Sequence, residues 1–134
     1  MSMPVEAVAV ILCDDVRTEV SQKDILIGVY NQDVVVPAYP ATLRCAVWIE
    51  YESAESGTQS LELRVLTPSG NPAPLIGFEL TFVEPGTATF SFSGLPLRLE
   101  HDGEIVIQQK LSGADWVAIK TKQVRRSLAV EPAS

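Results

Sequence analysis

The stretch "LRCAVWIEYE", residues 43–52, decides the fold class. Leu43, Cys45, Val47, Ile49 and Tyr51 occupy alternate positions, and Arg44, Trp48, Glu50 and Glu52 fall between them. Successive side chains of a strand point to opposite faces, whereas a helix repeats every 3.6 residues. Wound as a helix, Cys45 and Ile49 would fall on the side opposite Leu43, Val47 and Tyr51 and divide the apolar set between two faces. As a strand they make one apolar face, with the β-branched and aromatic content that suits a pleated, half-buried surface.

The same period recurs outward in both directions. "SLELRVL" (60–66), "IGFELTFVE" (76–84), "TATFSFS" (87–93), "LPLRLE" (95–100), "EIVIQQKL" (104–111) and "DWVAIKTKQV" (115–124) all alternate. Turn signals separate them: "TPSGNPAP" (67–74), "EPG" (84–86), "HDG" (101–103) and "SGAD" (112–115). No segment long enough for a helix has helical spacing of apolar residues. "AVAVILC" (7–13) and "ILIGVY" (25–30) are apolar on both faces and are expected as central, doubly covered strands. The prolines of "DVVVPAYP" (33–40) suit a strand end or a sheet edge. These signals predict an all-β chain of eight or nine short strands: a two-sheet antiparallel β-sandwich of immunoglobulin-like or related topology. A single domain is expected over 1–126, with a flexible C-terminal tail over 127–134.

The 134 residues suffice for one domain with a real core, and 46% hydrophobic against 20% charged is ordinary globular composition. The net charge of −7 is unevenly placed: residues 1–109 carry −10 and residues 110–134 carry +3. An acidic body repels phosphate backbones and acidic membranes, so nucleic acid is a disfavoured partner. The longest apolar run, Ala7 to Cys13, is far short of the ~20 residues of a membrane-spanning helix. It also lacks the basic flank and the cleavage site of a signal peptide. A cytoplasmic protein is expected, with Cys13 and Cys45 as buried, reduced thiols.

The segment "ILCDDVRTEVSQKDILIGVY" (11–30), followed by a proline-rich crossing and "LELRVLTPSG" (61–70), resembles a family of small bacterial and phage-associated β-sandwich proteins of unknown function. The signature positions are Asp14, Asp15, Val16, Arg17, Lys23, Leu26, Ile27, Gly28, Val29 and Tyr30. The resemblance implies a β domain and no particular activity.

Chemistry is densest at "CDDVRTE" (13–19). On a continuing strand, Asp14 and Asp15 would point to opposite faces and could not share an ion. A calcium loop wants oxygen ligands at alternating positions and a glycine to bend it, and this stretch has neither. The expectation is a corner, in which one aspartate caps the turn and Arg17 or Lys23 pairs with the other. An ion-binding or catalytic centre on Asp14, Asp15, Arg17 and Glu19 is the runner-up. His101 stands beside Asp102 in a tight turn, a poor place for a general base. Two cysteines and one histidine provide no close-spaced zinc ligands. No phosphate-cradling glycine motif occurs, and no cofactor is expected.

A partner surface is the remaining expectation. The basic end carries Lys120, Lys122, Arg125 and Arg126, suited to an acidic partner or to guarding an edge strand. By alternation, Trp48 falls on the polar face of its strand, and Trp116 shares a face with Lys120 and Lys122. Outward tryptophans are typical interface anchors. The sequence therefore predicts a non-enzymatic protein-binding or assembly module, docking through a sheet face or an edge strand. A homo-oligomeric structural protein of phage type is the further alternative.

Overall fold

The computed structural model describes residues 5–70 and 75–127, and these form ten strands and no helix. They are β1 (Val5–Cys13), β2 (Asp15–Thr18), β3 (Asp24–Ile27), β4 (Val34–Val36), β5 (Ala41–Ser53), β6 (Gly57–Leu66), β7 (Ile76–Phe82), β8 (Gly86–Leu99), β9 (Gly103–Leu111) and β10 (Val117–Arg126). One sheet has the order β1-β5-β8, a second β4-β10-β9-β6-β7, and β2-β3 is a separate hairpin. Both larger sheets contribute to one apolar core: Val47, Ile49 and Tyr51 with Leu97 and Leu99 from the first, Leu61, Leu63, Ile105 and Ile107 from the second. Burying each such side chain stabilises the fold by about 1.5–3 kcal/mol. The rings of Phe78 and Phe90, 3.7 Å apart and nearly parallel, join β7 to β8 across the two sheets.

The opening stretch takes its expected place. It lies within β5, the middle strand of its sheet, with Cys45, Val47, Ile49 and Tyr51 completely covered. The strand count is higher than expected and the pieces differ. "TATFSFS" and "LPLRLE" belong to one 14-residue strand, β8. Its register against β5 slips between Cys45↔Leu95 and Val47↔Phe92, leaving one extra residue on β8. Gly94 absorbs it at φ +74°, a conformation that side chains resist. This β-bulge lets even positions (Ala88, Phe90, Phe92) before it and odd positions (Leu95, Leu97, Leu99) after it serve the same core.

Two expectations are corrected. The pairing is not wholly antiparallel, because β4 runs parallel to the end of β10, Val34–Val36 against Val124–Arg126. The proline-bearing segment does end at a sheet edge, as Pro37 requires by having no N–H to give. The segments 7–13 and 25–30 are not central strands. β1 is an edge strand, and β3 belongs to the outlying hairpin, where Ile25, Ile27 and Val29 are more than 40% exposed. Their two-faced apolar character has another cause. The core takes Leu12, while Cys13 and Ala46 on the opposite face are also covered, on the side where β2 packs against β5 and β8. Of the segment 127–134, only Ser127 falls among the described residues, its N–H donating to the Val36 carbonyl.

Candidate functional site

The Asp14–Asp15 pair is a corner, built from both sides. β1 ends at Cys13, and the Asp14 N–H donates to the carbonyls of Ile27 and Gly28, at 2.9 and 3.1 Å. The Asp14 carboxylate accepts a 2.9 Å bond from the Tyr30 hydroxyl. Gly28, at φ +68°, passes so close beneath it that a Cβ there would lie 2.7 Å from the Asp14 Cγ. Asp15 turns away from this site. It accepts the Val16 N–H at 2.9 Å and pairs with Arg17 at 3.1 Å, and this guanidinium holds its carboxyl below the usual carboxylate range. Glu19 lies in the β2–β3 turn, where its backbone bonds to Lys23 and Gln22. The runner-up ligand set is thus divided between separate partners. No group of three or more acidic, histidine or cysteine side chains fit to hold a metal occurs among the described residues.

The two cysteines are free and buried. Burial pushes the Cys45 thiol up to about 11 and also raises that of Cys13, so neither is poised as a thiolate. His101 is exposed, with Nδ1 2.7 Å from the Asp102 carbonyl. The Asp102 carboxylate instead ties the turn down, accepting the Tyr39 hydroxyl at 2.6 Å and the Arg126 N–H at 3.2 Å. Chiefly the Tyr39 bond lowers its pKa.

The expected partner surface is not one surface. Trp48 is half-buried, and its indole N–H donates to Asp24 at 3.0 Å, fastening the β2–β3 hairpin over the sheet. Trp116 lies on the outer side of the larger sheet beneath the Arg64 guanidinium, 4.0 Å from ring centre to Cζ. Arg64 also donates to Gln108 at 2.7 Å. Lys120 and Lys122 do not share the Trp116 face. The β10 register slips between Ala118↔Gln108 and Lys120↔Ile107, so Ile119 is the extra residue of a bulge. Beyond it the even positions reverse. Lys120 and Lys122 oppose the buried Ile107 and Ile105 and point to the core side of the sheet. Arg125 is paired with Asp33 at 3.2 Å, and Arg126 ends the strand, exposed.

That reversal creates a groove which strand alternation alone does not reveal. β1 borders one side of it and β10 the other. A hollow of about 380 Å³ is lined by Ala7–Ile11, Ile119 and Lys120. It adjoins one of about 190 Å³ that adds Leu12, Lys122 and the loop residues Val29, Tyr30 and Asn31. Of the described strands, β1 pairs with β5 alone. Among the described residues its free edge receives one bond from outside the strands, from the Tyr30 N–H to the Leu12 carbonyl. Val5–Ile11 therefore present an edge that no other described strand occupies, with Val8 45% exposed at a bulge of its own. Half-buried Lys120 and Lys122 have no hydrogen-bond or ion-pair partner among the described residues. A larger hollow, about 450 Å³, opens on the β7-β6-β9 side near Gly77, with Glu62, Glu79 and Lys110 around it. Its charge is mixed, and it is bordered by Gly77–Glu79 of β7, itself the outer strand of its sheet.

Over residues 8–117 the chain matches the model of a family described as a family of unknown function (DUF6941). No curated protein matches it. Among solved structures, a novel β-glucosidase from Erythrobacter marinus is similar at 15% identity, over 81% of this chain and 18% of that one, with a TM-score of 0.34. The chain thus spans less than a fifth of that enzyme, and a likeness of this extent carries no argument about fold or activity. No helix among the described residues is long and apolar enough to cross a membrane.

Proposed function

The chain belongs to that family of unknown function, and from this premise we propose that it is a protein-binding module without cofactor, docking a partner along the free edge of β1. The observation that carries this reading is the coincidence of three features in one groove. They are the β1 edge, which has no second strand partner among the described residues, the aliphatic side chains of Val10 and Ile119 beside it, and two lysines that also lack a partner among those residues. An exposed edge is a template for another strand, because its N–H and C=O groups alternate at the spacing a second chain supplies. The groove retains the lysine half of the expected surface. Trp48 and Trp116 serve the fold's own packing in this reading, and the Asp14–Asp15 corner holds the hairpin that closes one end. The same reading takes the larger sheets as two layers of an immunoglobulin-like sandwich, one domain over 1–126, working in a bacterial or phage-associated cytoplasm.

A photo-crosslinking residue placed at Val8 tests it against one at Val83, which is 92% exposed beyond β7. In extract of the native cell, a discrete adduct is expected from Val8 and none from Val83. Equal labelling from both positions, or none from Val8, refutes edge docking.

A further inference from the structure

Lys120 and Lys122 do more than decorate the groove: they restrict what can enter it. They lie on the core side of β10, half-buried and without a carboxylate partner among the described residues. A strand laid along β1 places alternate side chains over the groove, facing these amines. An apolar strand seated there would strip water from an ammonium group and return nothing, a costly arrangement. A strand bearing carboxylates would satisfy it. Inward-pointing lysines on an edge are a known guard against indiscriminate pairing. The same guard becomes a selector once one kind of strand can neutralise it.

The spacing sets a register. Two residues along a strand cover about 7 Å, and Lys120 and Lys122 are two residues apart on one face. An incoming strand with acidic residues at i and i+2 repeats that interval. Lys120 borders both hollows, whereas Lys122 borders only the end closed by Val29–Asn31.

We propose that the occupant of the β1–β10 groove is an extended, acidic segment of another protein, with carboxylates at alternate positions facing Lys120 and Lys122. This rests on the edge-docking reading above and adds the partner's chemistry to it.

The test uses the full chain and three labelled, end-blocked peptides, with binding followed by fluorescence anisotropy. The first is Thr-Val-Glu-Val-Glu-Val-Thr. The second has both Glu replaced by Gln, and the third is the acidic peptide N-methylated at alternate residues. The acidic peptide is expected to bind at least about tenfold more tightly than the Gln peptide, as complementary charges at an interface allow. K120Q/K122Q should remove that preference, and K120R/K122R should restore it, with all variants unfolding at the wild-type midpoint. The N-methylated peptide should not bind. Equal binding of the acidic and Gln peptides overturns the acidic inference and leaves edge docking standing. Equal binding of the N-methylated peptide overturns edge docking itself. Absence of binding by any peptide, dimerisation that involves the groove, or acidic-peptide binding only after removal of residues 128–134 overturns the proposed occupant.

Discussion

Gly28→Ala tests the corner from the residue that permits it. Gly28 holds φ +68°, where an L side chain costs about 1–2 kcal/mol. The new Cβ would also lie 2.7 Å from Asp14 Cγ, which no real contact tolerates, so the carboxylate must swing away. Doing so breaks the 2.9 Å bond from Tyr30. Hydrogen bonds to charged groups contribute about 1.5–3 kcal/mol, and the exposure of Asp14 places this one at or below the lower end, about 1 kcal/mol. The expected loss is therefore about 2–3 kcal/mol. Gly113→Ala is the control. It shares the left-handed backbone at φ +80° but has nothing within 4 Å of its Cβ position, so it should cost only the strain of about 1–2 kcal/mol.

Urea unfolding separates the two, read as a shift in midpoint at constant m. The decisive arm repeats Gly28→Ala in an Asp14→Ala background. There the clash with the carboxylate is gone and only a 3.0 Å approach to the residue's Cβ persists, which a shift of a few tenths of an ångström relieves. The Gly28→Ala penalty should then shrink to that of Gly113→Ala, a coupling of about 1 kcal/mol. Trp48, bonded to Asp24 in the same hairpin, gives a local reporter by its fluorescence. If Gly28→Ala costs no more than Gly113→Ala, or if its penalty survives Asp14→Ala unchanged, the corner is not held as described.

Tyr51 is fully buried, and its hydroxyl has no hydrogen-bond partner among the described residues. Tyr51→Phe removes an unsatisfied group at nearly constant volume and should raise stability by about 1 kcal/mol in denaturant unfolding. A loss of similar size would mean that the hydroxyl is satisfied. The depressed pKa of Asp102, caused first by Tyr39, gives stability that is present above the ordinary carboxylate pKa of about 3.9 and is lost as pH falls through the lower folded value. The stability gap between wild type and Asp102→Asn should accordingly be constant above about pH 5 and narrow steadily on acidification below about pH 4. A gap that widens in acid contradicts the assignment. Burial and raised pKa values leave both thiols unreactive in the folded chain, so a thiol reagent at pH near 8 should label neither cysteine until denaturant is added. Immediate labelling of Cys45 would contradict its place in the core.

The period of two was legible along nearly the whole chain, and within each uninterrupted run so was the face that is buried. Leu43 to Tyr51 and Leu61 to Val65 needed nothing beyond alternation. What alternation cannot carry is parity across a bulge. One extra residue reverses every side chain after it, and among the described residues it happens three times: near Val8, at Ser93–Gly94 and at Ile119. Gly94 leaves a trace in sequence, as a glycine between two alternating runs. Val8 and Ile119 leave none, being ordinary strand residues. Hence alternation puts Trp116 on the face of Lys120 and Lys122, whereas the sheet lies between them. Apolarity on both faces of β1 misled for a different reason. The second face of its sheet is covered at β5 and β8, where the hairpin strand β2 packs, a long-range fact that no local pattern encodes.

The two unsigned bulges are also where the candidate site is made. Had β10 alternated regularly through Ile119, with no bulge, Lys120 and Lys122 would continue the outer face with Ala118 and stand in solvent. The groove would then be apolar along both walls, an edge open to any hydrophobic strand, including another copy's. With it, the two amines hang over the groove while Val124 beyond them still enters the core. Val8 acts in the same place. Its bulge increases the local twist of β1 and leaves one residue of the edge out of step with a flat partner, which disfavours long, register-free pairing. Both features make the edge hard to occupy in general. Lysines carried inward face whatever strand lies along β1, so the same bulge that guards the edge also sets the charge an occupant would have to bring under the proposal above.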